Sequence, residues 1–572
     1  MGTLFSALDI GRAGLQVAQI QLDVTGHNIA NVSKIGFSRQ RVELTTRLPL
    51  YTPYGAIGRG PGISGIERLR ESYLDFVYRQ SSQGLGSASV CARYYARIED
   101  IFQEPGDIGF GTRLDAFFDA LGEFSTHVED VPVRVSLLSE AQALAAGLRQ
   151  AAERLNTLRT NANEDVRGLV PEVNSLMSRI AELNGRIRDV ELTGIRANDL
   201  RDDRDVLIDE LSQLTNLTYR ERDDGQIDIT VGSDMVVNGD EYREMRAVST
   251  TTIDPARPDL LEVRFTDTDQ LVTITGGELF GALDIRDNVL VGVDSRLDDL
   301  ARTLLHAVNR IHSSGNGLTG IGVPMTSTYA VASPFAPLTL AQLPFEIEDG
   351  SFEVYVYDSA GNIVDSVTVP VVASGNPADQ TTLTDIETAI NGLTGMSALV
   401  GPDGTITITP DAGFTFTFAN DTSGALAALG LNSFFTGTDA STIDVSQLLL
   451  DHPEYVTSAY STDPLDTGDN TAALDLAALR NALLLAGNTQ TFADHYQGTV
   501  VQVGIDTRAN DQTLNVEQSF VGDFDRRRLE VSGVSLDEEA TFLIQFQRAF
   551  EASARVITVA DRMLEALLNV VQ

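Results

Sequence analysis

The chain has 572 residues, 42% of them hydrophobic and 21% charged, a composition of folded protein with material for about four domains. Its 81 acidic and 41 basic residues give a formal net charge of −40, which argues against nucleic acid or anionic membrane as a partner. No stretch approaches the roughly 20 apolar residues of a membrane-spanning helix, and a single cysteine, Cys91, excludes an internal disulfide framework and is expected as a small core residue.

The N-terminus, MGTLFSALDI, lacks the cationic start and cleavage site of a secretory signal, so the expectation is a chain that stays in the cytoplasm or leaves by a route that cleaves nothing. Apolar or small residues then fall at Leu4, Leu8, Gly11, Leu15, Ala18, Leu22, Thr25 and Ile29, steps of four and three that make the seam of a coiled coil. Asn31 and Gly36 stop this helix, Phe37 follows, and the sequence alternates as a strand from Val42. Tyr51 to Gly65 reads as an extended, poorly packed connection. Within it Gly60, Gly62 and Gly65 fit G-x-G-x-x-G, but no apolar strand precedes them and Pro61 sits inside the turn, so a flexible loop is expected rather than a dinucleotide site.

Helical periodicity returns over Ile66–Arg79 and Ser89–Phe102 and fills Gly111–Gly194, where Leu137, Leu138, Ala141, Leu144, Ala145, Leu148, Ala152, Leu155 and Leu158 share a face and Pro171 marks a kink or a second start. Asp199–Leu214 is a further helix. Its Asp202, Asp203 and Asp205 alternate with Arg201 and Arg204, the pattern of a salt-bridged solvent face rather than a metal cluster. The period changes to two from Leu217, giving a β-rich insert over 216–277, and returns to helix over Leu279–Ile311. His306 and His312, six apart, lie on different helix faces and make no zinc pair. A second β-rich domain covers 315–443, with strands over Phe352–Tyr357, Ile363–Val372, Thr405–Thr409 and Phe414–Phe418. Helices follow over Asn470–Ala486, Thr491–Arg508 and Leu514–Val531.

The last stretch, Ser535–Gln572, is the longest uninterrupted helix pattern at either terminus. Ser535 and Glu538 form a capping-box pair, and Leu543, Phe546, Phe550, Ser553, Ile557, Ala560, Leu564, Leu567 and Val571 repeat the four-three spacing of the first helix. Two heptad helices at opposite ends of one chain imply that the termini meet. The expected fold is multidomain α+β: paired N- and C-terminal coiled-coil helices (1–35 with 535–572), an elongated, mainly helical stalk (36–215, 278–314 and 444–534), and two β-rich inserts (216–277 and 315–443).

Charge follows these divisions. Residues 1–80 hold nine basic and six acidic residues, whereas Ile311–Leu479 has no Lys or Arg and twenty Asp and Glu. The outer β-rich domain is therefore an acidic, solvated surface. Its acids are scattered and match no D-x-D-x-D-G calcium loop.

The segment N-I-A-N-x-x-x-x-G-F-S-R-Q, Asn28 to Gln40, after an amphipathic N-terminal helix resembles the terminal signature of bacterial flagellar rod, hook and hook-associated axial proteins. The run from Ser535 to Val571 is similar to the C-terminal signature of the same family. Ser38, Arg39 and Gln40, with Ala552, Ser553, Ala554 and Arg555, bring the likeness closest to members at the hook–filament junction; Phe550 stands where a tyrosine is expected. The resemblance implies a secreted structural subunit that polymerises through its terminal helices. It implies export unfolded through the flagellar type III apparatus and, after a transient cytoplasmic stage, an extracellular place between hook and filament. The implied partners are further copies of itself in a ring, the hook protein, the next hook-associated junction protein toward the filament, and an export chaperone on the C-terminal helix. The interface is expected at Leu4, Leu8, Leu15, Ala18, Leu22, Ile29, Asn31, Gly36, Phe37, Leu543, Phe546, Phe550, Ile557, Ala560, Leu564, Leu567 and Val571, with no cofactor, metal or membrane insertion.

No catalytic constellation competes strongly with this reading. Lys34 is the only lysine and no Gly precedes it, which excludes a Walker A loop, and neither H-E-x-x-H nor G-x-S-x-G occurs. A carboxylate-pair hydrolase acting on the cell wall stays open as an alternative, because 81 acids offer many pairs. So does an adhesin or binding module built on the acidic β domain.

Overall fold

The computed structural model describes all residues except 1, 53–54, 103–108, 463–465 and 572, and all side chains of the remainder except those of 2–4 and 567–571. Its helices are α1 (Gly2–Ala30), α2 (Ser72–Phe102), α3 (Phe110–Thr126), α4 (Val131–Glu191), α5 (Asn198–Leu214), α6 (Gly277–Asp284), α7 (Leu290–Ser313), α8 (Leu383–Asn391), α9 (Ala425–Leu429), α10 (Gln447–Asp451), α11 (Thr471–Ala478), α12 (Phe492–Ser532) and α13 (Leu536–Val571). The fold is mixed helix and strand, ends in a long helix, and divides into two compact units. One comprises Met1–Tyr94, Thr160–Asp287 and Arg508–Gln572; the other comprises Tyr95–Arg159 and Asn288–Thr507.

In the first unit β1 (Gln40–Thr46) pairs antiparallel with β4 (Pro61–Arg68), and the short strands β2 (Leu50–Thr52) and β3 (Gly55–Ile57) form a hairpin between them. The G-x-G-x-x-G segment is thus not a flexible loop. Gly60, at φ +86°, lets the chain pass close to Ala13 and Ile10 of α1, and the following residues enter β4. Helical periodicity over Ile66–Arg79 misled for the same reason: pairing with β1 holds the chain extended to Arg68, and α2 starts only at Ser72. Strands β5 (Thr218–Glu221), β6 (Ile227–Val231), β7 (Asp234–Asn238) and β8 (Glu241–Tyr242) form one four-stranded antiparallel sheet, and β9 (Met245–Ser249) pairs with β10 (Leu261–Phe265).

α5 corrects the sequence reading most sharply. Asp203 is on an exposed face and takes Lys34, and Arg201 binds Glu191, as a salt-bridged surface would. Asp202, Arg204 and Asp205, however, are 1%, 0% and 6% exposed. Cations from distant sequence bury them: Arg68 reaches Asp202 (2.7 Å) and Asp205 (2.8 Å), Arg70 and Arg79 reach Asp205, and Arg79 and Arg528 both hold Asp209. Burial pushes the Asp205 carboxyl up, but the guanidiniums of Arg70, Arg68 and Arg79 outweigh it and hold the group well below the usual range. Asp202 goes the other way, raised by burial despite Arg68.

The second unit collects an aromatic core. Phe117 lies against Phe118, Phe434 and Phe435, Phe118 against Phe492, and His312 edge-on to Phe434. The stripe from Leu137 to Leu155 on α4 is buried as its periodicity predicts, and the helix runs unbroken through Pro171. Strand β11 (Met325–Thr326) joins β15 (Ile406–Pro410) and β14 (Met396–Val400) in one sheet; β13 (Ile363–Val371), β12 (Gly350–Tyr357) and β16 (Thr415–Ala419) form another; β17 (Phe435–Thr436) pairs with β18 (Asp444–Val445). β13 is an edge strand and carries Pro370, which blunts that edge against further pairing. Two helix expectations change in the C-terminal third. Thr491–Arg508 and Leu514–Val531 are a single helix, α12, whose start Thr491 and Asp494 cap reciprocally, while Asn470–Ala486 is helical only as α11 and one 3-10 turn.

Candidate assembly interface

α1 and α13 lie against each other antiparallel within the chain. Small residues permit the close approach: a Cβ built on Gly11 would stand 2.8 Å from Ile557 Cγ1, and one on Gly14 would stand 3.5 Å from Ser553 Cβ. Further along, Asn28 meets Glu539. Burial on α13 follows the heptad: Leu543, Phe546, Phe550, Ser553, Ile557 and Leu564 are half-buried, Ala560 is buried, and Ile544, Val556, Val559 and Met563 are exposed. On α1, Leu8, Leu15, Leu22 and Ile29 are half-buried, and Gly11, Ala18 and Thr25 are buried. The side chains of Leu4, Leu567 and Val571 lie outside the described residues. A second buried face on α1, Ala13, Val17, Val24 and Asn28, was not read from the heptad; Ala13 meets the chain at Gly60, and Asn28 meets β1.

The turn after α1 ties these elements together. Asn31 folds back onto the His27 carbonyl (3.0 Å), and Phe37 is buried edge-on to the His27 ring. Gly36 is exposed at φ +78°, and a Cβ there would stand 2.1 Å from Val206 Cγ2, so both backbone and space demand glycine. The Ser38 N–H donates to Asp202 (2.9 Å) and the Arg39 N–H to the Ser532 carbonyl (2.8 Å). The Asn28 carboxamide accepts the Gln40 N–H (3.0 Å) and donates to its carbonyl (2.9 Å), pairing with β1 as a strand would. Arg39 Nε donates to Glu539 (2.8 Å) and Nη1 to Glu538 (2.8 Å), with the guanidinium 5.6 Å from the Phe542 ring centre. Glu538 is therefore engaged by Arg39, and no side-chain bond joins it to Ser535 as the capping box required.

Sequence reasoning missed Asn28 and Glu539 as partners. A signal existed for the second: Glu539 extends the four-three series one step before Leu543, which puts a carboxylate on an apolar seam.

Residues 95–325 match the family model of the flagellar hook-associated protein FlgK helical domain, and residues 526–570 that of the flagellar basal body rod FlgEFG protein C-terminal region. Over 100% of its length the chain is 25% identical to flagellar hook-associated protein 1 of Bacillus subtilis, covering 99% of that protein. It is 26% identical over 99% of its length to all of flagellar hook-associated protein 1 of Salmonella typhimurium. Along its whole length, then, the chain is similar to flagellar hook-associated protein 1. A stretch of 42 residues is also 57% identical to part of the flagellar hook protein FlgE of Caulobacter vibrioides, 7% of each chain. In fold the chain is similar to the flagellar hook junction protein FlgK of Burkholderia pseudomallei, with a TM-score of 0.50 and 18% identity over 79% of this chain and 100% of the other. The residues that carry the sequence resemblance, Asn28, Asn31 and Gly36 to Gln40, are the ones that knot α1, β1, α5 and α13 together.

Proposed function

We propose that the protein is a structural subunit of the bacterial flagellum, an adaptor that joins hook to filament by polymerising through the α1–α13 pair. The observation that carries the reading is the distribution of apolar residues on α13. The four-three seam is spent on α1 within one chain, and a second stripe, Ile544, Val556, Val559 and Met563, stays exposed on a folded helix. Such residues suit a face that a neighbouring copy covers, and repetition of one heterologous contact from copy to copy builds a ring where its rotation closes.

In this reading residues 1–35 with 535–572 are the polymerisation domain, with hook protein on one side and the next junction protein on the other. Residues 315–443 present the acidic outer surface. The chain reaches this extracellular place by the flagellar export route, with a cytoplasmic chaperone covering the same α13 stripe beforehand. No observation favours the hydrolase or adhesin readings. Antibody raised against residues 315–443 should decorate a narrow band between hook and filament in electron micrographs; label along the filament, or on the cell body alone, would contradict the assignment.

A further inference from the structure

We propose that Glu539 is a positioning residue, one that sets the register of α13 on α1; the inference rests on the reading of this helix pair as the assembly element. An apolar seam built from small residues, Gly11, Gly14 and Ala18 against Ser553, Ile557 and Ala560, fixes face but not register, because sliding by one heptad, about 10 Å, again opposes small and apolar positions. A polar group at one seam position removes that freedom. Glu539 occupies such a position and is 2% exposed.

Its carboxylate accepts from Arg39 Nε (2.8 Å) and from Asn28 Nδ2 (3.2 Å), and among the described residues the Asn28 bond is the one hydrogen bond between α1 and α13. Both donors are themselves fixed: Asn28 by the Gln40 backbone, and Arg39 by its own N–H on the Ser532 carbonyl. One buried anion therefore locks to α1 and to Arg39, the residue before β1, at once, and any slip strands it away from both. The other described acids of α13, Asp537, Glu538, Glu551, Asp561 and Glu565, are exposed and impose no such condition. Register decides where Val556, Val559 and Met563 stand along the pair, and hence whether one copy matches the next.

Disulfide trapping on the purified full-length chain reads the register directly. Cysteines at positions 14 and 553 are within bonding reach in the observed register, with Cβ atoms 3.5 Å apart, whereas 14 and 560 meet only after a one-heptad slip. Cys91 is buried and does not compete. The 14–553 bond should form readily and the 14–560 bond should not. Glu539→Gln, which keeps an acceptor for Asn28 but removes the charge facing Arg39, should lower the 14–553 yield roughly tenfold or more, and Glu539→Asp should restore much of it. Arg39→Gln, checked for folding by circular dichroism, gives the same test from the cation side should Glu539→Gln fail to fold. An unchanged 14–553 yield in the charge-removing variants, or ready 14–560 bonding in the parent chain, would overturn the inference. Trapping needs no assembled flagellum, so failure of the assembly reading would appear separately, as normal junctions in cells whose subunits are out of register.

Discussion

His312 shows how much one side chain organises. At the end of α7 it is fully buried, its Nδ1–H donates to the Asn432 carbonyl (2.7 Å), and its Nε2 accepts the Thr457 N–H (3.0 Å), so both ring nitrogens are used by the neutral form. Burial lowers its pKa to about 4 from 6.5. Because the folded value lies below the unfolded one, the unfolded chain binds the extra proton first, and stability falls as pH drops from about 6.5 toward 4, by about 3 kcal/mol in all. Thermal melts of the second unit's aromatic signal between pH 7 and 5 should show this slope, and His312→Gln should be less stable at pH 7 but clearly shallower across the window, with the remaining slope from His306, which burial also lowers; an equal slope in the variant would contradict the assignment. Gly36 makes a second case. Gly36→Ala forces a side chain into the left-handed region and onto Val206 and should cost about 1–3 kcal/mol, measurable by urea unfolding, whereas a neutral effect would mean that the turn relaxes freely.

At the scale of elements, α4 carries a testable fault. Pro171 is exposed inside a 61-residue helix and cannot donate to the carbonyl four residues earlier. Pro171→Ala should therefore stabilise the chain by about 1–3 kcal/mol, seen as a raised melting temperature; a lower one would show that the proline is needed where it stands. The helices were legible in sequence because α4, α7 and α13 each bury a face, which imposes a 3.6-residue period. β4 was misread because its register is set by β1, a partner some twenty residues away. The acids of α5 were misread for a related reason: their neighbours on the helix are arginines, but the cations that bury Asp202 and Asp205 come from β4, the turn after it, and α2. The terminal seam was legible, yet which of its faces stays open was not, since that depends on α13 finding α1 within the same chain.

For the molecule as a whole, the acidic surface over 311–479 is not a detachable ornament. Asn309 donates to the Phe435 carbonyl and accepts both the Phe434 and Phe435 N–H groups, and Phe434 and Phe435 pack on Phe117. Replacing 315–443 by a short Gly-Ser linker would cost little in loop closure but would take these partners from Asn309 and the Asn432 carbonyl from His312. Helical content should fall on this excision, by circular dichroism; full retention would make the segment an independent insert. The assembly account itself is tested most directly by the double variant Val556→Asp and Val559→Asp, scored together for secretion, monomer melting and joining of hook to filament. Both side chains are about half exposed in the single chain, so melting temperature should stay near the parent's; secreted amount falls to the extent that the chaperone reads the same stripe, and the protein that is secreted should fail to attach filaments, because an assembled contact would have to bury unpaired carboxylates. Normally secreted double variant that still joins filament to hook would contradict the claim that the outward face of α13 is the assembly surface.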